Sequence, residues 1–145
     1  MYLYGNMKQP AYPVTVLCVE DDEDILRLIQ LSLDRIGSMH THVCSDSRLA
    51  MGMARELRPD LIVLDYKMPE IDGQALMSMI KADPELSKIP VVFLTASATP
   101  DVIEALKKSG AAGIFTKPFD PKELALELTA AWFRAVEPGT QPALG

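Results

Sequence analysis

Two hydrophobic periods alternate along the chain. Residues 14–19, VTVLCV, form a short apolar run. Ile25, Leu28, Ile29 and Leu33 then recur at the spacing of one helix face, which Gly37 ends. A short run at 41–44 predicts a second strand. It leads to Asp46, a good N-cap, and to a helix carrying Leu49, Met53 and Leu57 as far as Pro59. Residues 61–64, LIVL, are apolar without interruption, which predicts a strand buried on both faces of a parallel sheet. A helix over 73–81 follows. Asp83-Pro84 and Ile89-Pro90 then mark a loop before a fourth strand at 91–95. Pro100 opens a helix to 108 that Ser109-Gly110 closes, 113–116 forms a fifth strand, and a last helix spans about 121–135.

Five βα units in about 120 residues predict an α/β fold: a three-layer, doubly wound, five-stranded parallel sheet in the flavodoxin-like order 2-1-3-4-5. The domain is expected over 14–136. Residues 1–13 form an N-terminal extension and 137–145 a Pro- and Gly-rich tail, both expected to be frayed.

Composition narrows the function classes. The 145 residues suit one domain. No apolar run approaches the roughly 20 residues that span a bilayer, and the first 13 residues lack the apolar centre of a secretion signal, so a cytoplasmic location is expected. Cys18 and Cys44 both lie in apolar strand segments and are expected to remain free thiols. A net charge of -6 argues against a direct nucleic-acid partner, because phosphate-backbone binding rests on clustered Lys and Arg.

In an open parallel sheet the functional crevice lies beyond the carboxyl ends of the strands. There the sequence places Glu20, Asp21 and Asp22 after the first strand, Asp65 after the third, Thr95 at the end of the fourth and Lys117 after the fifth. Singly, all but Asp65 have a ready plain alternative. The run 20–24 can interact with the positive end of the first helix, Thr95 can be an ordinary β-branched strand residue, and Lys117 can be a solvated lysine before a strand-ending proline. Together they suit a Mg²⁺ site, since this hard cation takes carboxylates, waters and phosphate oxygens, and there is no His or Cys cluster to indicate zinc. Asp65 can then attack phosphorus as a carboxylate nucleophile, with Thr95 and Lys117 holding the phosphoryl oxygens.

The segments VTVLCVEDDEDI, PDLIVLDYKMPEIDG, IPVVFLTA and FTKPF resemble, in order, the signatures of response-regulator receiver domains. The resemblance implies that Asp65 is the phosphoacceptor and Glu20 and Asp21 the acid pair, with Asp21 the more direct Mg²⁺ ligand. It further implies that Lys67 lends a main-chain carbonyl to the metal, that Thr95 is the switch hydroxyl and Lys117 the phosphate-contacting lysine, and that Asp22 faces the first turn of the first helix. Pro69 and Gly73 fit the loop after the phosphoacceptor. Two positions depart from the family pattern: Ile114 stands where relatives commonly carry an aromatic residue, and Lys67 where many carry a neutral or acidic one. The partners implied are a histidine kinase or histidine phosphotransfer protein and a downstream protein. The chain is expected to be a monomer or a weak dimer through the face formed by helix 4, strand 5 and helix 5, and not a multiple-turnover enzyme. Two rival readings fit less well: a degenerate receiver docking independently of phosphorylation, which the intact set of site residues opposes, and a small-molecule phosphohydrolase, which would usually carry an aspartate where Lys67 stands.

Overall fold

A computed structural model describes residues 12–137. Most of the expected extension and tail, 1–11 and 138–145, lies outside the described residues. The elements run β1 (Thr15–Val19), α1 (Glu23–Leu31), β2 (His40–Cys44), α2 (Ala50–Leu57), β3 (Leu61–Leu64), α3 (Gly73–Ala82), β4 (Val91–Thr95), α4 (Pro100–Lys108), β5 (Gly113–Thr116) and α5 (Leu124–Val136). All strand pairs are parallel and the sheet order is β2-β1-β3-β4-β5, as the sequence predicts.

The period of two along each strand divides the core into two layers. Val16, Cys18, Leu61, Val63, Val92 and Leu94 face α1 and α5, where Leu26, Ile29, Leu33, Leu128 and Trp132 cover them. Leu17, Val19, Ile62, Leu64, Val91 and Phe93 face α2, α3 and α4, meeting Ala50, Met51, Leu76, Met77, Ile80 and Leu106. Tyr12 packs on the first layer and Pro13 is buried. The backbone N–H groups of Val14 and Thr15 both donate to Asp60 Oδ2, at 3.0 and 2.9 Å, fixing the start of β1 beside β3.

Three local expectations are corrected. On α1 and the turn that follows it the buried apolar residues are Leu26, Ile29 and Leu33, while Leu28 is 41% exposed. The helix carries two overlapping apolar stripes, and contact with β2 and α5 selects between them. It also widens into a π-helical turn over Ser32–Ile36 before Gly37. Near α2, Leu49 is 59% exposed because it belongs to a 3-10 turn, Ser47–Leu49, whose tighter winding takes it off the helical stripe. Ala50, Met51 and Ala54 are buried instead. The last helix begins at Leu124 rather than near 121. Asp120 draws the preceding residues into a turn, its side chain accepting from Lys122 N–H at 2.9 Å and its carbonyl from Glu123 and Leu124.

Candidate functional site

The sheet ladder continues one residue past several strands, and this sets the site. Glu20 N–H donates to the Cys44 carbonyl at 3.0 Å, Asp65 N–H to the Val19 carbonyl at 3.1 Å, and Lys117 N–H to the Thr95 carbonyl at 3.0 Å. With Val19 opposite Leu64 and Thr95 opposite Thr116, the residues that leave β1, β3 and β5 meet on one edge. Glu20 and Asp65 are buried there, and Asp21 is exposed at the rim. Ligand oxygens of Glu20, Asp21 and Asp65 lie within 4.8 Å of one another.

Three carboxylates at this range repel one another, and Lys117 supplies the counter-charge. Its Nζ donates to Glu20 Oε1 at 2.7 Å and to Asp65 Oδ2 at 3.2 Å. The second oxygens of Glu20 and Asp65 are held by backbone: Asp22 N–H donates to Glu20 Oε2 at 3.0 Å and Tyr66 N–H to Asp65 Oδ1 at 2.7 Å. Burial is the main force on Glu20, and with the Asp65 charge it outweighs the Lys117 and Asp22 hydrogen bonds, so its carboxyl is pushed up to about 6. For Lys117, burial acts to lower the pKa. The hydrogen bond to Glu20 and the charges of Asp65 and Glu20 outweigh it, and the net shift is upward, so the ammonium stays charged. An oxygen-only donor set with an exposed carboxylate at its mouth fits Mg²⁺, which takes carboxylate oxygens and keeps several waters.

The other predicted residues sit around this centre. Thr95 is buried on the same edge, and its hydroxyl oxygen accepts from Ser97 N–H at 3.0 Å within the loop after β4. Asp22 caps α1, accepting from Asp24 and Ile25 N–H. The Lys67 side chain is exposed and takes no part in the hydrogen bonds of the cluster. Gly73 starts α3 where no side chain fits, since a Cβ there would meet the Asp65 carbonyl oxygen at 2.1 Å. Cys18 and Cys44 are buried free thiols whose pKa values burial raises. Sequence reasoning missed Ser47, a buried residue whose hydroxyl reaches the loop after Asp65. Its partners are 22 and 24 residues away and leave no local pattern.

Comparison with known proteins agrees with this geometry. The family model of the response regulator receiver domain matches residues 16–129. The DNA-binding response regulator MtrA of Mycobacterium tuberculosis is 38% identical over 116 residues, covering 79% of this chain and 49% of that protein. The chain thus spans about half the length of this curated relative. An uncharacterised 14.6 kDa protein of Leptolyngbya boryana is 34% identical over 116 residues, covering 80% of this chain and 88% of that one. Among solved structures, the chemotaxis protein CheY4 of Vibrio cholerae superposes with a TM-score of 0.77 at 26% identity, covering 82% of this chain and 98% of that chain. With the parallel 2-1-3-4-5 sheet and the acidic cluster at its carboxyl edge, these matches place the chain in the response regulator receiver domain family of two-component signalling.

Proposed function

We propose that this receiver domain takes a phosphoryl group from a histidine kinase or histidine phosphotransfer protein onto Asp65, and that the change in charge switches a protein-interaction surface. The observation that carries the reading is Asp65 itself: a buried carboxylate, one oxygen 3.2 Å from the Lys117 ammonium, grouped with Glu20 and Asp21. In the step, an Asp65 oxygen bonds to phosphorus as the P–N bond to the donor imidazole breaks, leaving an aspartyl phosphate. Glu20, Asp21, Asp65 and the Lys67 main-chain carbonyl would hold Mg²⁺, which supplies positive charge against the transferring oxygens. Lys117, already 3.2 Å from Asp65, holds a phosphoryl oxygen once the group is attached. Thr95 offers its hydroxyl proton to a second one. Because its oxygen also accepts from Ser97 N–H, a shift of Thr95 draws on the loop that leads into α4.

The activity so described is autocatalytic phosphoryl acceptance followed by slow hydrolysis, not multiple turnover of a free substrate. The domain is proposed to act in the cytoplasm, and no helix among the described residues is long and apolar enough to cross a membrane. The downstream partner is a protein met through the face of α4, β5 and α5, and the chain is a monomer or a weak dimer through that same face. Intact mass after treatment with a small phosphodonor and Mg²⁺ tests the reading. The wild type gains one acid-labile phosphoryl group and Asp65→Asn gains none. An Asp65→Asn variant that gains the group at the wild-type rate refutes the assignment.

A further inference from the structure

The loop between Asp65 and α3 is held at both ends but weakly in the middle. Asp65 is tied to β1 through its N–H, and Gly73 N–H returns to the Tyr66 carbonyl at 2.8 Å. Between them, Pro69, Glu70 and Ile71 form a three-residue turn closed by Ile71 N–H to the Pro69 carbonyl at 2.8 Å. Glu70, a non-glycine residue, sits at φ 69°. Such turns are rare and strained, and they persist where the surroundings over-determine them.

What over-determines this one is a hydroxyl from another strand-end loop. Ser47 Oγ donates to the Pro69 carbonyl at 2.8 Å and accepts from Ile71 N–H at 3.1 Å, so it bridges both ends of the turn. Among the described residues, no other side chain hydrogen-bonds to the backbone of residues 67–71. Ser47 is itself immobilised. It is 4% exposed and opens the 3-10 turn capped by Asp46, whose carboxylate accepts from Arg48 N–H at 3.0 Å and pairs with the Arg48 guanidinium. The clamp also lies beside the acidic cluster: one depression of about 220 Å³ is lined by Asp21, Ser47, Pro69 and Glu70.

We propose that Ser47 is a positioning residue for the cation site, fixing the Pro69–Ile71 turn and through it the Lys67 main chain two residues upstream. The inference rests on the proposed function, which assigns the Lys67 carbonyl to the cation. A group that orients a metal ligand without touching the metal typically contributes tenfold or more to affinity. The experiment is calorimetric titration of the whole chain with Mg²⁺, together with amide exchange and thermal melting in EDTA. Ser47→Ala is expected to weaken Mg²⁺ binding about tenfold and to speed exchange at Ile71, with the amides of β1 and β3 unchanged. Ser47→Thr, which keeps the hydroxyl, is expected to restore the affinity. Asp21→Ala separates the two readings. If it binds Mg²⁺ as the wild type does, the cation site itself is wrong. If it loses Mg²⁺ while Ser47→Ala keeps wild-type affinity, the clamp is overturned and Ser47 is merely structural. Should Ser47→Ala fail to fold, Ser47→Gly removes the same hydroxyl, and the same two outcomes decide.

Discussion

Replacing Lys117 with methionine keeps most of the side-chain volume and removes the positive charge that, among the described residues, hydrogen-bonds to the cluster. The ammonium stands 2.7 Å from Glu20 Oε1 and 3.2 Å from Asp65 Oδ2, with the three side chains 11%, 4% and 8% exposed. Removing one member of a buried ion pair typically costs about 3–5 kcal/mol. Here the cost is limited, because Glu20 can take up a proton. With its pKa at about 6, protonation at about pH 7.5 costs about 2 kcal/mol, which caps the share due to Glu20. The longer contact to Asp65, whose carboxylate keeps its hydrogen bond from Tyr66 N–H, adds about 1 kcal/mol as one lost hydrogen bond. Lys117→Met is therefore expected to lose about 3 kcal/mol in EDTA, seen as a fall of about 10 °C in Tm for a chain of this size. At about pH 5.5, where wild-type Glu20 is already largely protonated, the loss shrinks to about 1 kcal/mol. Saturating Mg²⁺ is expected to raise the Tm of the variant more than that of the wild type, because a cation held by the cluster would replace the missing charge. Thermal melts followed by circular dichroism at both pH values, with exposed Lys122→Met as control, provide the measurement. A variant melting within about 2 °C of wild type at about pH 7.5, or a loss that does not shrink in acid, refutes the charge balance drawn here.

Glu20 also sets a pH dependence. Its folded pKa of about 6 exceeds the ordinary 4.5, so the native state holds the proton more tightly, and this group's contribution to stability falls as pH rises through that window. In EDTA the fall is on the order of 2 kcal/mol and Glu20→Gln flattens it; a wild type that gains stability across the same window while Glu20→Gln does not would overturn the shift. Lys67, exposed two residues past Asp65, is expected to obstruct the hydrolytic water and prolong the phosphorylated state. Lys67→Asn should therefore dephosphorylate faster, and an unchanged or slower rate counts against the idea. For the output face, phosphorylation should change amide exchange chiefly from Ala96 to Pro100 and at the start of α4, through the Thr95–Ser97 link. Ile114, half-buried against the α2–α3–α4 layer, is β-branched and stiff, and should respond little. Protection changes confined to α1 and α2 would place the output elsewhere.

The sheet and its carboxyl edge were legible in the sequence because the information is local. Strand runs such as LIVL and VVFLT carry their own period, and the residue that ends a strand is next to it in the chain, so the sequence alone puts Glu20, Asp65, Thr95 and Lys117 on one edge. Helix faces were legible only where one apolar stripe existed. On α1 two stripes overlap, and burial of Leu26 with exposure of Leu28 follows from what β2 and α5 present, not from the helix itself. The energetics of the site belong to the tertiary structure. A lysine 97 residues from Glu20 neutralises it, and the balance of burial against that hydrogen bond sets its pKa. The Ser47 clamp is of the same kind: a hydroxyl reaching a turn 22 residues onward has no spacing or propensity to betray it, since only the packing of two loops brings donor and acceptor together.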